Sequence, residues 1–272
     1  MQIRTPDGRL FAMATMRTYD DGCAAAHALD LVGERWALLV VRELLLGPKR
    51  FTDLRAGIPK ASPNVLSQRL RELEGAGVVR RRKLPPPAAS RIYELTNWGL
   101  ELEPVITRLG RWGARSPSKP CDAELSVDSL ILSFRTMFDT RAAEGLGASY
   151  ELRLGEDRFR AEVADDRFEV VRGVADRPDA IIETDPATLV ALVYEGRQLA
   201  EALRSGDIRI EGDESAVARF LGLFPLPEPA APAARALHNP AGPVLKQSPR
   251  HKARSPVESG SEADRAGIPR HP

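Results

Sequence analysis

The chain has 272 residues, of which 43% are hydrophobic and 28% charged, and its formal net charge is +1. This length favours about two domains. The two cysteines, Cys23 and Cys121, exclude a multi-disulfide framework and show no zinc-site spacing, so we expect no metal, no cofactor and a reducing cytoplasm as the compartment. No basic start precedes a long apolar run, and the sequence therefore predicts neither export nor a membrane span.

The net charge is small only because two parts of the chain oppose each other. Residues 1–120 hold 20 Lys and Arg against 12 Asp and Glu, whereas residues 150–224 hold 10 against 17. A basic part beside an acidic part is typical of a protein in which one contacts nucleic acid and the other avoids it.

The first elements are expected to be helical. Residues 1–22 carry no helical or strand period and are predicted to be a flexible segment. Residues 23–32 show one apolar face, which predicts a short helix closed by Gly33. Residues 34–46 are apolar nearly all round, which is typical of a buried central helix.

Residues 50–73 predict two helices around a turn. Ser62 is a good N-cap, Pro63 takes a first helical position where a missing N–H costs nothing, and Gly75 supplies a left-handed stop. The second helix has an apolar stripe and a polar face, the latter formed by Asn64, Ser67, Gln68 and Arg71. Amide, hydroxyl and guanidinium groups can read base edges in the major groove, so this is a helix-turn-helix candidate. The alternative is an ordinary solvated helix face.

A basic hairpin, the wing, follows this helix directly. Residues 78–84 and 91–95 read as two strands joined by a Pro- and Ala-rich turn. Between Lys60 and Arg91, eight cations oppose two carboxylates. Cations beside a reading helix supply phosphate contacts, which carry most of the affinity for DNA. Double-stranded DNA is therefore the expected partner.

A helix capped by Thr96 should follow the wing. Its apolar positions are spaced four and three apart, as in a coiled-coil seam, at Trp98, Leu102, Val105, Leu109 and Trp112. Pro104 should kink this helix. The partner of the seam is either the domain's own first helix or a second copy of the chain, and a homodimer fits DNA readers that meet paired half-sites.

Five motifs occur in order along this region: residues 29–36 (LDLVGERW), 42–44 (REL), 50–54 (RFTDL), 62–70 (SPNVLSQRL) and 93–96 (YELT). With them, residues 23–115 closely resemble the HxlR family of winged helix-turn-helix regulators. The resemblance implies a dimeric bacterial transcription regulator. It also implies that Asn64, Ser67, Gln68 and Arg71 lie near bases and that Arg81, Arg82, Lys83 and Arg91 lie near phosphates. Ser62 is a further candidate DNA-binding residue.

Cys23 departs from the family pattern. Family members often carry a proline after their N-terminal cysteine, and some use that cysteine as a redox or electrophile sensor, whereas here Ala24 follows. Cysteine is also commonly a small buried residue, because reactivity requires an exposed thiol with a lowered pKa. Redox sensing by Cys23 and simple packing both stay open.

The second half of the chain predicts an α+β domain. Residues 117–125 read as a linker. A helix is expected from Ser126 to about Arg141, then strands around 150–154, 159–163, 168–170, 180–182 and 208–210, and helices starting at Asp185, Gly196 and Gly212-Asp213. The folded domains should therefore span 23–116 and 126–224, and the Pro- and Ala-rich tail at 225–272 should be disordered.

Three phrases of this second domain, at 185–189 (DPATL), 200–207 (AEALRSGD) and 210–213 (IEGD), resemble the sterol carrier protein type 2 fold. The resemblance implies an apolar tunnel for a lipid or another hydrophobic small molecule. Its candidate lining residues are Leu189, Leu192, Val193, Leu199, Leu203, Phe220 and Phe224. A filled core gives the same pattern, because pockets and cores are both apolar.

These patterns favour a DNA-binding transcription regulator, expected to be a homodimeric repressor whose second domain couples a hydrophobic ligand to DNA affinity. No grouping of side chains offers the convergent geometry of catalysis, so neither a catalytic residue nor enzymatic activity is expected. Two alternatives remain: a regulator whose second domain is only a structural or protein-docking module, and a lipid-binding carrier protein.

Overall fold

The computed structural model describes residues 18–86, 90–118 and 125–231. The predicted flexible segment at 1–22, the linker at 117–125 and the tail at 225–272 therefore lie largely outside the described residues. Residues 225–231, which are described, form neither helix nor strand. No helix in the described ranges is long and apolar enough to cross a membrane.

The first half of the chain forms a winged helix-turn-helix. Its elements are α1 (Ala24–Val32), α2 (Ala37–Leu44), β1 (Lys49–Arg50), α3 (Phe51–Gly57), α4 (Pro63–Gly75), β2 (Val79–Lys83), β3 (Arg91–Leu95), α5 (Asn97–Leu100) and α6 (Glu103–Ala114). The three strands form one antiparallel sheet with the order β1-β3-β2, which leaves β2 at an edge. The apolar faces of α2, α3 and α4 form the core under this sheet.

Helix α4 begins where the sequence predicts and ends slightly later. The Ser62 Oγ atom accepts a hydrogen bond from the Val65 N–H at 3.4 Å, and Pro63 is the first helical residue. Gly75 is the last residue of the helix rather than its left-handed stop. The left-handed residue is Gly77, with φ of 76°, because the chain must still turn into β2 after the C-cap at Ala76.

Two other helices differ from expectation. The predicted helix over 34–46 is shorter, since Trp36 adopts a left-handed φ of 79° and α2 starts only after it. The single kinked helix expected after Thr96 is two helices, α5 and α6. Pro104 lies in the first turn of α6, where its missing N–H is unpaired in any helix, so the chain breaks before the proline instead of bending at it.

The second half is an α+β domain, as predicted. It contains α7 (Val127–Met137), β4 (Ala148–Leu154), β5 (Asp157–Ala164), β6 (Arg167–Arg172), β7 (Ala180–Thr184), α8 (Pro186–Tyr194), α9 (Leu199–Ser205), β8 (Ile208–Gly212) and α10 (Glu214–Leu221). The five strands have the order β6-β5-β4-β7-β8. All neighbours are antiparallel except β4 and β7, which run parallel because residues 173–179 carry the chain from β6 across to the far side of β4 without reversing its direction.

Helix α7 joins the cores of the two halves. Leu130, Ile131 and Phe134 are buried in the core of the second half, where the Phe134 and Phe224 rings stack with their centroids 4.6 Å apart. Leu132 of the same helix is buried in the core of the first half. The two halves are therefore packed against each other through α7, although a linker separates them in sequence.

Candidate functional site

Helix α4 presents the polar face that the sequence predicts. Asn64, Gln68 and Arg71 are exposed and Ser67 is half-buried, while Leu66, Leu70 and Leu73 on the opposite side are buried. The Gln68 Nε2 atom donates to Glu72 Oε1 at 3.0 Å, so its amide is held at the helix surface. Ser62 is exposed at the start of the helix. The face has the donors and acceptors needed to contact base edges.

One cation of this helix does not belong to that face. Arg69 is buried, and its guanidinium pairs with Glu72 on α4 and with Glu34, at 3.5 Å, before α2. Its charge is therefore neutralised inside the domain and holds α4 to the preceding segment. The net charge counted along the sequence therefore includes one positive charge, that of Arg69, that is not available to phosphates.

The wing divides its cations between two faces. Arg81, Lys83 and Arg91 lie on one face, and Lys83 is the direct cross-strand neighbour of Arg91. Arg81 approaches Glu74, at the end of α4, only to 3.9 Å. Arg81 therefore places its side of the wing beside the C-terminal end of α4. The structure thus brings together three of the four predicted phosphate contacts.

Arg82 lies on the other face, together with Arg80. Both guanidinium groups donate to the carboxylate of Glu94, from Arg80 Nε at 2.8 Å and from Arg82 Nη2 at 3.2 Å. Hydrogen bonding from Arg82 is the largest effect and lowers the pKa of Glu94. Burial opposes it, but the hydrogen bond from Arg80 acts in the same direction as that from Arg82, and the pKa stays below its ordinary value. Glu94 therefore stays ionised and offsets one of the two positive charges of Arg80 and Arg82.

A partly buried ion network, centred on the buried carboxylates of Glu43 and Asp128, connects the two halves of the molecule. It is formed by Arg42, Glu43, Lys49, Asp128, Asp157 and Arg172, and we call it the interdomain ion network. Lys49 Nζ lies 2.6 Å from Glu43 Oε2 and 2.5 Å from Asp128 Oδ2, and Arg172 pairs with Asp128 and Asp157. Ser126 Oγ donates to Glu43 Oε1 at 2.8 Å.

Glu43 is ionised although its side chain is fully buried. Burial alone raises the pKa of a carboxyl group, but the charges and hydrogen bonds of Lys49, Arg42 and Ser126 outweigh it and hold the pKa of Glu43 below its ordinary value. The only sequence signal was the Arg42-Glu43-Leu44 motif, because a polar pair inside an otherwise apolar helix is unusual. The partners of Glu43 on α7 are more than 80 residues away in sequence.

The seven residues predicted to line a ligand tunnel are packed into or against the core of the second half. Leu189, Leu192, Phe220 and Phe224 are buried in that core, and Val193, Leu199 and Leu203 pack against it. A cavity of about 480 Å³ lies elsewhere, between α6, α7 and α8, and none of the seven lines it. Ligand binding by these residues stays a prediction.

Cys23 is exposed at the N-cap of α1. The backbone N–H groups of Ala26 and Ala25 lower the pKa of its thiol, since they stabilise a thiolate at the helix start. Redox sensing by Cys23 stays a prediction, and Cys121 lies outside the described residues.

In the comparison with known proteins, different family models match the two halves. The model of alkyl sulfatase C-terminal domains matches residues 119–230. A solved double mutant of the sec-alkyl sulfatase PisA1 is 17% identical with a TM-score of 0.35, over 37% of this chain and 16% of that chain. The resemblance of this half to the sterol carrier protein type 2 fold stays a prediction.

The model of HxlR-like helix-turn-helix domains matches residues 31–119. The chain is 40% identical to the uncharacterized HTH-type transcriptional regulator YvaP of Bacillus subtilis over 85 residues, which are 31% of this chain and 79% of that relative. The structure of the reduced B. subtilis regulator YodB is 34% identical with a TM-score of 0.33, over 36% of this chain and 97% of that chain. The chain therefore belongs to the HxlR-like helix-turn-helix family of DNA-binding transcriptional regulators.

Proposed function

We propose that this regulator is a homodimeric repressor in the cytoplasm, which binds operator DNA through α4 and the wing. The observation that carries the proposal is the joint exposure of the polar face of α4 and of Arg81, Lys83 and Arg91, whose side of the wing meets the end of α4 at Arg81 and Glu74. Helix α4 would enter the major groove with Ser62 and Asn64 at its leading end and Ser67, Gln68 and Arg71 behind them. The wing cations would contact phosphates.

Arg82 takes a weaker part in this proposal. Its guanidinium is already bonded to Glu94, so a phosphate must compete with a carboxylate for it. Gln68 faces a similar but smaller competition, because its amide donates to the exposed end of Glu72. We therefore rank Arg81, Lys83 and Arg91 above Arg82 as phosphate contacts.

The proposed dimer uses the outer face of α6. Val105, Leu109 and Trp112 are spaced four and three apart on that face and are exposed, Trp112 to 73%. The adjacent face of α6 packs on α7 through Ile106 and neighbouring residues. Exposed apolar side chains in a row are typical of a protein interface, and a second copy on a two-fold axis would bury them. Trp112→Asp should convert a dimer into a monomer in analytical ultracentrifugation.

We further propose that the second domain binds a hydrophobic ligand that modulates DNA affinity. The second domain carries a net negative charge, which keeps it away from DNA and supports a regulatory role for it. Repression needs only that the bound dimer blocks polymerase access to the promoter. A run-off transcription assay on the promoter of its own gene, with and without the protein, tests the direction of regulation.

The test of the DNA interface is a salt titration of binding to that promoter fragment by fluorescence anisotropy. Replacing Arg81 and Lys83 together by alanine should weaken binding to all sequences and reduce the slope of log affinity against log salt by about two, since each phosphate contact contributes about 0.9. Gln68→Ala should instead reduce the preference for the promoter over unrelated DNA. Arg204→Ala, an exposed change on α9, is the control.

An unchanged slope in the double variant, with unchanged preference in Gln68→Ala, would contradict the proposed interface. Binding that is tight on the promoter but indifferent to lipid extracts would favour a regulator whose second domain is structural or docks a protein. Lipid binding without any DNA binding would favour the carrier alternative.

A further inference from the structure

The cavity between α6, α7 and α8 has the size and the walls of a small-molecule site. Its volume of about 480 Å³ falls within the range of ligand pockets. Apolar side chains from three helices form most of its surface, among them Ile106, Leu132, Met137 and Val190. Gly110 and Gly113 keep the α6 side open, and a Cβ added at Gly113 would meet nothing within 4 Å.

Two of the polar groups in this cavity are satisfied by each other. The Tyr194 hydroxyl and Ser133 Oγ are 2.7 Å apart, and Ser133 Oγ also donates to the Leu130 carbonyl oxygen at 2.7 Å. In this arrangement Tyr194 donates to Ser133, and neither hydroxyl has a proton left for a ligand. Burial raises the pKa of Tyr194 to about 12, so the phenol stays neutral. This pair closes the cavity wall without giving it a charge.

Arg42 is the cation of the cavity and keeps unused donor capacity. Its Nη2 atom donates to Glu43 Oε1 at 2.8 Å, and its buried Nε atom has no acceptor within the described residues. An unpaired buried N–H is unfavourable and would gain from an added acceptor. Glu195, the acidic residue of the lining, is exposed and therefore hydrated. Because Glu43 offsets part of the charge of Arg42, an anion at this end of the cavity gains mainly from the unused donors of the guanidinium.

We propose that this cavity binds a single-chain amphiphile with an anionic head, either a carboxylate or a sulfate ester. The head contacts the guanidinium of Arg42, with Ser129 beside it, and the alkyl chain lies along α6, α7 and α8. The proposal rests on the proposed function, because it names the ligand class that the regulator senses. It places that ligand between the two halves and not within the core of the second one.

The position of the cavity gives the ligand a route to the DNA-binding surface. One face of α6 lines the cavity, and the adjacent face carries the exposed row of Val105, Leu109 and Trp112. A ligand that inserts between α6 and α7 favours one placement of α6, and in the proposed dimer the placement of α6 would set the separation of the two recognition helices. A differential affinity of this kind is what coupling between two sites requires.

Isothermal titration calorimetry of the full chain tests the proposal with four ten-carbon probes. Decanoate and decyl sulfate carry the proposed head, 1-decanol lacks the charge, and decylamine carries the opposite charge. We expect decanoate or decyl sulfate to bind at least ten-fold more tightly than the other two. Arg42→Gln should remove this difference while leaving the weak binding of decanol, and Gly113→Leu, which fills the cavity, should abolish binding of all four.

Arg204→Gln is the matched control for loss of one arginine, since Arg204 lies outside the cavity lining, and it should leave all affinities unchanged. Equal binding of decanol and decanoate, or tighter binding of decylamine, would overturn the head-group assignment. Unchanged decanoate binding in Gly113→Leu would overturn the location. Promoter binding is measured on the same samples, so a protein that binds DNA but none of the probes refutes this inference and leaves the DNA-binding function intact.

Discussion

The interdomain ion network and the ion pairs of the wing use the same kinds of side chains in opposite surroundings. Glu43 and Asp128 are fully or almost fully buried and meet cations that are themselves mostly covered. In the wing Glu94 is buried, but the side chains of Arg80 and Arg82 are 67% and 49% exposed. Water screens the wing pairs and hardly reaches the network. Loss of one partner should therefore cost far more in the network.

The consequences for function differ in the same way. The network contacts α2 and β1 on one side and α7, β5 and β6 on the other, so it fixes how the two halves pack. The wing pairs lie within a single hairpin and affect only how much charge that hairpin offers to DNA. A buried network of this kind is weak evidence for net stability, but it specifies one arrangement of its partners.

The largest expected effect is that of Glu43→Ala. This change leaves Lys49 and Arg42 without the carboxylate that they share, and the uncompensated buried charge should lower the free energy of unfolding by about 3–5 kcal/mol. Urea unfolding followed by circular dichroism and tryptophan fluorescence measures it. Glu101→Ala, on an exposed position, is the control and should change stability by less than about 0.5 kcal/mol. Equal midpoints for the two variants would show that the network contributes no more than a surface residue does.

Gly57→Ala tests the same network without changing a charge. A Cβ at Gly57 would lie 2.1 Å from Glu43 Oε2, so the carboxylate must move away from Lys49 and Ser126. Overpacking of this kind costs about 1–3 kcal/mol. Gly75→Ala is a matched control, because Gly75 also ends a helix and its added Cβ would meet nothing within 4 Å. That variant should be neutral or stabilised by up to about 1 kcal/mol, and a similar loss in both variants would contradict the packing of Gly57 against Glu43.

Local signals explain which parts of the fold the sequence predicted. The start of α4 was right because Ser62 and Pro63 act on their own neighbours, and the strands of the second half were right because their alternation is local. The end of α5 before Pro104 was not predicted, because the four-and-three spacing of apolar residues continues unchanged from α5 into α6. The same periodicity could not show whether Phe220 and Phe224 line a pocket or fill the core.

The parts of the site that were missed depend on residues far apart in the chain. Asp128 and Arg172 are 44 residues apart, and Asp128 meets Lys49 across the linker. No window of sequence contains such a set. The placement of Arg82 among the phosphate contacts rested more on charge than on matching positions, and strand register puts it on the face of Glu94; its contact with phosphate stays a prediction. The cavity beside Arg42 combines helices from both halves and has no sequence signature.

The smallest expected effect on stability is that of Glu94→Gln in the wing. Because its partners are exposed, the change should cost at most about 1 kcal/mol of unfolding free energy. It should also free Arg80 and Arg82 for phosphates, so affinity for DNA of any sequence should rise at low salt, and the gain should shrink as salt screens the added charge. Weaker DNA binding in this variant would show that Glu94 orients the arginines for DNA instead of competing for them.

The pH dependence of Glu94→Gln follows from the lowered pKa of Glu94. A carboxyl group with a lower pKa in the folded than in the unfolded state stabilises the fold above its unfolded pKa, about 4.3, and loses this contribution as the pH falls through its folded pKa. The stability difference between wild type and variant should therefore be constant from pH 7 to about 5 and vanish below that range. Glu43 titrates equally in both proteins, so its contribution cancels in the comparison. A difference that persists at low pH would assign the effect of the substitution to packing rather than to the ion pairs of the wing.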